Sequence, residues 1–161
     1  MKKIRNFKGF NWIGFCSLYL KEVKRFLNVF AQTVLAPAIT TLLFYIIFTI
    51  SIDREYLSTS GYSFSEFLAP GLICMGIMQN AFANTSSSIL ISKVQGNIVD
   101  ILMPPLSEYE LTFSFALGGI TRGLLVGFSV SLVIYLIVPL KINNIFVIAY
   151  FAFSSSLLLS L

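Results

Sequence analysis

The sequence predicts an all-α integral membrane protein, a polytopic helical bundle, on three observations: high hydropathy, few charges and long apolar runs. The mean hydropathy of the 161 residues is +0.86, and 57% of them are hydrophobic. Only 11% are charged, whereas an average soluble domain carries about 25%. So few charges cannot cover a water-facing surface, and much of the surface must therefore face lipid.

Four apolar runs are long enough to be membrane spans. A helix needs roughly 20 apolar residues to cross the hydrocarbon core of a bilayer. The predicted spans are about 31–52, 67–91, 111–140 and 142–161. Together they make up a transmembrane domain over 31–161. The last run reaches Leu161 without a polar tail or basic anchor, which predicts that the chain is the N-terminal part of a longer protein.

The first 30 residues form a separate N-terminal segment. Between residues 11 and 30, apolar side chains recur at spacings of three and four, while Lys21, Glu22, Lys24, Arg25 and Asn28 fill the opposite face. This pattern predicts an amphipathic helix in the membrane interface, with Trp12 at headgroup depth. A soluble arm is the alternative.

Lysine and arginine in the flanks of the spans predict a cytoplasmic N-terminus. The outer side carries two basic residues, Arg54 and Lys141. The inner side carries eight: Lys2, Lys3, Arg5, Lys8, Lys21, Lys24, Arg25 and Lys93. Basic charge clustered beside a hydrophobic chain indicates a membrane surface and no nucleic-acid partner.

The composition argues against an enzyme. The chain contains no histidine and two cysteines, Cys16 and Cys74, in settings that suggest neither a disulfide framework nor a metal site. The serines have no histidine base, and no GxxxxGK[ST] phosphate loop is present. We therefore predict no catalytic residues, no metal and no cofactor bound by this chain.

A polar face runs along the second span. Gly76, Asn80, Asn84 and Ser88 lie four residues apart and so share one side of a helix. Because polar groups facing hydrocarbon are costly, this face must meet other helices or a watery path. It is either an interhelical hydrogen-bonding surface or the lining of a substrate path. A passive channel or membrane scaffold that uses this face is the alternative function.

The third span combines a row of glycines with one charge. Gly119, Gly123 and Gly127 repeat every four residues, which predicts close packing against a neighbouring helix. Arg122 lies beside that row, and no acidic residue lies within a predicted span to pair with it. Arg122 is either a functional intramembrane charge or a side chain that reaches back to the interface.

The inner loop between the second and third spans predicts a short helix. Asn97 is placed to cap it, and Ile98, Ile101 and Leu102 form one apolar edge. Pro104 and Pro105 then end the helix. A short amphipathic helix in this position is a docking device for a partner. The alternative is a loop that lies on the lipid headgroups.

Several segments together resemble the ABC-2 type permeases of bacterial ABC exporters. They occur in the family's order and spacing, and the resemblance covers nearly the whole chain. The segments are VFAQTVLAPAITTLLFYIIF at 29–48, GYSFSEFLAPGLICMGIMQNAFANTSSS at 61–88, NIVDILMPPLSEYE at 97–110 and GGITRGLLVG at 118–127.

The resemblance implies a bacterial inner-membrane half-transporter of six spans, of which this chain carries four. Such permeases dimerise and pair with separate ATP-binding subunits, which bind the ATP and magnesium. Their cargoes are drugs, lipids or polysaccharides. The resemblance assigns the coupling role to the inner loop: Gly96, Asn97, Ile98, Asp100, Ile101, Leu102, Pro104 and Pro105.

Overall fold

The computed structural model describes residues 9–51, 64–137 and 144–161. All regular structure within these ranges is helical, which confirms the predicted all-α class. The helices are α1 Trp12–Leu27, α2 Ala36–Ser51, α3 Phe64–Val94, α4 Ile98–Leu102, α5 Glu108–Ile137 and α6 Ile145–Ser160. A π-helical turn, Ala31–Leu35, leads into α2.

Two stretches of the described chain are long and apolar enough to cross a membrane, Ala31–Ser51 and Glu108–Ile137. The helix α3 has 31 residues and is longer, but the polar side chains of its inner face lower its hydropathy. The described part of α6 has 16 residues. Some predicted features lie outside the described residues: Ile52, residues 138–143, and the basic residues Lys2, Lys3, Arg5, Lys8, Arg54 and Lys141.

The long helices α3 and α5 form the centre of the bundle. Both α2 and α6 pack against each of them. The main apolar core lies between α2, α3 and α5. Its buried members are Val34, Ala38, Tyr45, Ala69, Leu72, Val126, Val130 and Ile134.

The glycine row of α5 lies against α3. A Cβ atom added at Gly123 would lie 2.9 Å from the carbonyl oxygen of Ile77 and 3.1 Å from the Cβ of Ala81. A Cβ atom at Gly119 would lie 2.9 Å from the carbonyl oxygen of Ala81. The atoms in the way belong mostly to backbone, which cannot move aside as a flexible side chain can. The two backbones therefore approach each other more closely than any larger residue would allow.

The helix α1 packs on α5 through one row of side chains, Leu18, Glu22 and Phe26, all of which are buried. The prediction that Glu22 belongs to the outer, polar face of α1 is wrong, because this residue is only 1% exposed. Its carboxylate accepts a hydrogen bond from Ser88 of α3 and pairs with Arg25 of α1, so it can face the bundle. The exposed side of α1 includes Trp12, Ile13 and Leu20.

The close contact between α3 and α5 predicts a sharp difference between two glycine-to-alanine changes. Gly123→Ala lowers the free energy of unfolding by about 1 to 3 kcal/mol, because the added methyl group overpacks the interface. Gly71→Ala is the matched control within α3, since nothing lies within 4 Å of its added Cβ. That change stabilises the helix by about 0.5 to 1 kcal/mol. Equilibrium unfolding in mixed detergent micelles measures both, and equal effects would contradict the close approach.

Candidate functional site

The polar face of α3 is buried inside the bundle. Gly76, Asn80, Asn84 and Ser88 are all buried, and the last three bond to side chains of α1 and α5. Interhelical hydrogen bonds therefore occupy the positions that the sequence offered as a possible substrate path. Four-residue spacing brings these side chains to one side of the helix. Their partners come from parts of the chain more than 40 residues away.

A carboxylate of α1 forms the centre of this network. Ser88 Oγ donates a hydrogen bond to Glu22 Oε1 at 2.7 Å. On the other side, Arg25 Nη2 lies 3.0 Å from Glu22 Oε2. The same nitrogen donates to the backbone oxygen of Asn84 at 2.9 Å and to its Oδ1 at 3.2 Å. Glu22 and Arg25 together therefore attach α1 to the C-terminal half of α3.

Arg122 of α5 joins the network one helical turn away. Its Nη2 donates to Asn80 Oδ1 at 3.4 Å, a long hydrogen bond. Asn80 Nδ2 in turn donates to the backbone oxygen of Gly76 at 3.0 Å. The side chain of Arg122 thus runs between α5 and α3. The alternative that Arg122 reaches back to the membrane interface does not describe this orientation.

Three residues of the network, Glu22, Arg25 and Gly118, were not among the predicted site residues. A Cβ atom at Gly118 would lie 2.9 Å from the Cβ of Glu22 and 3.3 Å from Asn84 Nδ2. Gly118 therefore gives the Glu22 side chain room to reach α3. The only sequence signal was weak: a single acidic residue among the cations of α1, and a glycine next to the row that packs on α3.

The short helix α4 begins after Gly96, whose φ of +75° lies in the left-handed region that favours glycine. The predicted side-chain cap by Asn97 is wrong: Asn97 makes no cap hydrogen bond with its side chain, and its Nδ2 faces Gln95 Oε1 at 3.4 Å. The backbone oxygen of Asn97 instead accepts from the amide of Asp100 at 3.1 Å. Asp100 itself is exposed.

The prediction that Ile98, Ile101 and Leu102 form one apolar edge of α4 is also wrong, because these side chains do not lie on a single surface. Ile101 is 5% exposed and packs against Leu18 of α1 and Phe115 of α5. Leu102 points the other way and is 64% exposed. Residues three positions apart share a helix face, whereas neighbours do not. The exposed apolar side chains of α4 and the residue after it are therefore Val99, Leu102 and Met103.

Hydrogen bonds tie the loop after α4 to the start of α1. Glu110 Oε2 accepts from the amide of Ser107 at 2.7 Å, and Ser107 Oγ accepts from the amide of Glu110 at 3.3 Å. These two bonds form a capping box at the start of α5. The other oxygen of the same carboxylate accepts from the amide of Asn11. Asn11 Nδ2 also donates to the carbonyl oxygen of Pro105 at 3.4 Å.

The fold and this site define a class, a polytopic helical membrane protein with a helical loop held at one end of its bundle. Residues 14–161 match the ABC-2 type transporter family. The chain therefore belongs to that family.

Curated proteins similar in sequence to this chain are also membrane transport permeases. The inner membrane transport permease YadH of Escherichia coli strain K12 is 35% identical over 133 residues, which are 83% of this chain and 52% of the relative. The permease of the same name from Shigella flexneri matches to the same extent. The chain therefore spans about half the length of the curated relatives it matches. No solved structure matches it.

The buried position of Glu22 predicts that its charge holds α1 on the bundle. Glu22→Ala lowers the free energy of unfolding by about 2 to 3 kcal/mol, because Arg25 and Ser88 lose a buried partner. Glu22→Gln lowers the free energy of unfolding by less, because the amide oxygen of glutamine still accepts a hydrogen bond from Ser88. Equilibrium unfolding in mixed micelles measures both.

The matched control for Glu22 is Glu108→Ala, which removes an exposed carboxylate from the first turn of α5. It changes the same free energy by about 0.5 kcal/mol. If Glu22→Ala behaves like this control, the carboxylate does not anchor α1.

Proposed function

We propose that this chain is the transmembrane permease subunit of an ATP-driven ABC-2 type exporter in the bacterial inner membrane. It would move an amphipathic cargo, such as a drug-like molecule, a lipid or a polysaccharide, out of the cytoplasm. A separate ATP-binding subunit, with its ATP and magnesium, supplies the energy. Two permease subunits pair as a homodimer within the membrane lipid.

The observation that carries this proposal is the exposed apolar surface of α4. Val99, Leu102 and Met103 are 55%, 64% and 77% exposed, although they lie at a tightly held end of the bundle. Ile101 fixes the opposite side of α4 against α1 and α5. Exposed apolar side chains on a rigid support are typical of a docking surface for another protein. This surface is where the ATP-binding subunit binds.

The position of the basic residues supports a cytoplasmic placement of this end. Lys21, Lys24, Arg25 and Lys93 belong to α1 and the end of α3. Ile101 contacts Leu18, so α4 lies at the same end as these cations. Basic residues favour the cytoplasmic side of a membrane, which is also the side on which an ATP-binding subunit must dock.

The contacts of α3 favour a transporter over the passive channel or scaffold. A channel through the polar face of α3 would need that face to border water. Instead, Glu22, Arg25 and Arg122 occupy it from α1 and α5. A bundle closed in this way must rearrange to pass a cargo, so we propose alternating access driven by ATP binding through α4.

Charge on the exposed side of α4 is expected to disrupt coupling. Leu102→Glu in the complete transporter weakens the complex with the ATP-binding subunit by about tenfold, because an apolar contact at an interface contributes on the order of 1 to 2 kcal/mol. Co-purification from membranes and stimulation of ATP hydrolysis measure this loss. Gln95→Glu, an exposed position just before α4, is the control and leaves the complex intact.

A comparison of Ile101→Asp with Leu102→Glu distinguishes an effect on folding from an effect on docking. This change places a charge in the packed contact with Leu18 and Phe115, and it destabilises the bundle by about 3 kcal/mol or more. We therefore expect Ile101→Asp to lower thermal stability, and Leu102→Glu to leave it unchanged. A Leu102→Glu permease that still binds and stimulates its ATPase normally would show that α4 is not the docking surface.

A further inference from the structure

We infer that Arg122, Arg25 and Asn84 form a binding site for a phosphate group, carried by an anionic lipid or present as free phosphate. The inference concerns binding and does not depend on transport or on the ATP-binding subunit. It rests on an unbalanced charge, on unpartnered donors and on the open position of Arg25.

The charge of Arg122 has no counter-ion within the described part of the chain. The ion pair in this network is between Arg25 and Glu22. Arg122 is left with a long hydrogen bond to the neutral amide of Asn80. A guanidinium between membrane helices normally pairs with an acid or with backbone carbonyls, because an uncompensated charge there is costly. An oxyanion would supply the missing negative charge.

The two guanidinium groups lie close together along α3. Arg25 bonds to Asn84 and Arg122 to Asn80, and these two asparagines are one helical turn apart. Their spacing along the helix axis is therefore about 6 Å. Two cations and a single carboxylate leave a net positive charge in this cluster.

Three donors of this site have no hydrogen-bond partner. They are Arg25 Nε, Arg122 Nε and Asn84 Nδ2, all buried. The orientation of the Asn84 amide is set by Arg25, which donates to its Oδ1, so that Nδ2 points elsewhere. Buried donors without partners are rare in native structures. Here three unpartnered donors belong to one cluster. A ligand with several hydrogen-bond acceptors would satisfy all three.

Phosphate fits this chemistry better than a neutral ligand. Its oxygens accept several hydrogen bonds at once, and the planar guanidinium group matches oxyanions with two parallel donors. The side chain of Arg25 is 30% exposed, so this member of the cluster reaches the surface of the chain. A phosphate can therefore approach from the surface while its charge meets Arg122 between the helices.

Lipid titration followed by native mass spectrometry tests the inference on the full chain in detergent. The probes are phosphatidylglycerol, diacylglycerol with the same acyl chains, and inorganic phosphate. We expect saturable binding of one phosphatidylglycerol per chain and no saturable binding of diacylglycerol. Displacement of the lipid by millimolar inorganic phosphate would identify free phosphate as an equal ligand. If neither phosphate compound binds saturably, the inference is wrong.

Variants locate the binding on Arg122. Arg122→Gln weakens phosphatidylglycerol binding about tenfold or more, because the main uncompensated charge is lost. Lys93→Gln removes an exposed cation near the end of α3 and changes the affinity less than about twofold. Arg122→Lys keeps the charge without the guanidinium fork and weakens binding about threefold.

Circular dichroism establishes that each variant is folded. Should Arg122→Gln fail to fold, Arg122→Lys decides the question, since an unchanged affinity in that variant overturns the site. An equal loss for Lys93→Gln and the Arg122 variants would also overturn it, because it would indicate general attraction of anions to the basic end.

Discussion

The close contact of α5 with α3 is the constraint on which the other helices depend. It requires glycine at positions 119 and 123, where any Cβ atom would meet backbone of α3. Because α2 and α6 each pack on both of these helices, the spacing of the pair fixes the grooves in which they lie. The same close approach brings Arg122 within reach of Asn80. Apolar packing and the polar network therefore have one geometric origin.

The end of the bundle that carries α4 is held by polar bonds as well as by apolar packing. Glu110 bonds to Ser107 at the start of α5 and to the amide of Asn11 before α1. Ile101 and Leu18 pack nearby. One carboxylate thus ties the loop, α1 and α5 together. A force applied to α4 would be transmitted to α1 through these contacts, because packed elements move together.

Much of the fold could be predicted because a bilayer imposes simple rules on sequence. Helix length and apolar composition located α2 and α5, and a four-residue spacing placed Asn80, Asn84 and Ser88 on one face. The orientation of Glu22 could not be predicted in this way. Periodicity separates the faces of α1, but it does not tell which face meets a polar neighbour, and that neighbour lies 66 residues away.

Two local features show the same difference between what a local sequence pattern predicts and what depends on distant residues. Ser107 and Glu110 form a capping box whose S-x-x-E signature is visible in the sequence, so this cap was open to prediction. The burial of Ile101 was not, because it depends on Leu18 and Phe115. A five-residue helix has too few positions for its periodicity to identify an inner face. Its exposed residues become clear only when its neighbours are known.

The junction between α1 and α2 connects a helix held by polar bonds with a helix that packs in the apolar core. Residues 28–30 connect α1 to the π-helical turn Ala31–Leu35. Thr33 Oγ1 donates to the backbone oxygens of Phe26 and Val29, each at 3.0 Å. π-Helical turns are rare and are often found at functional positions. This turn lies between α1, which is held by Glu22, and α2, which belongs to the apolar core. The turn therefore connects a helix held by polar bonds to a helix held by apolar packing.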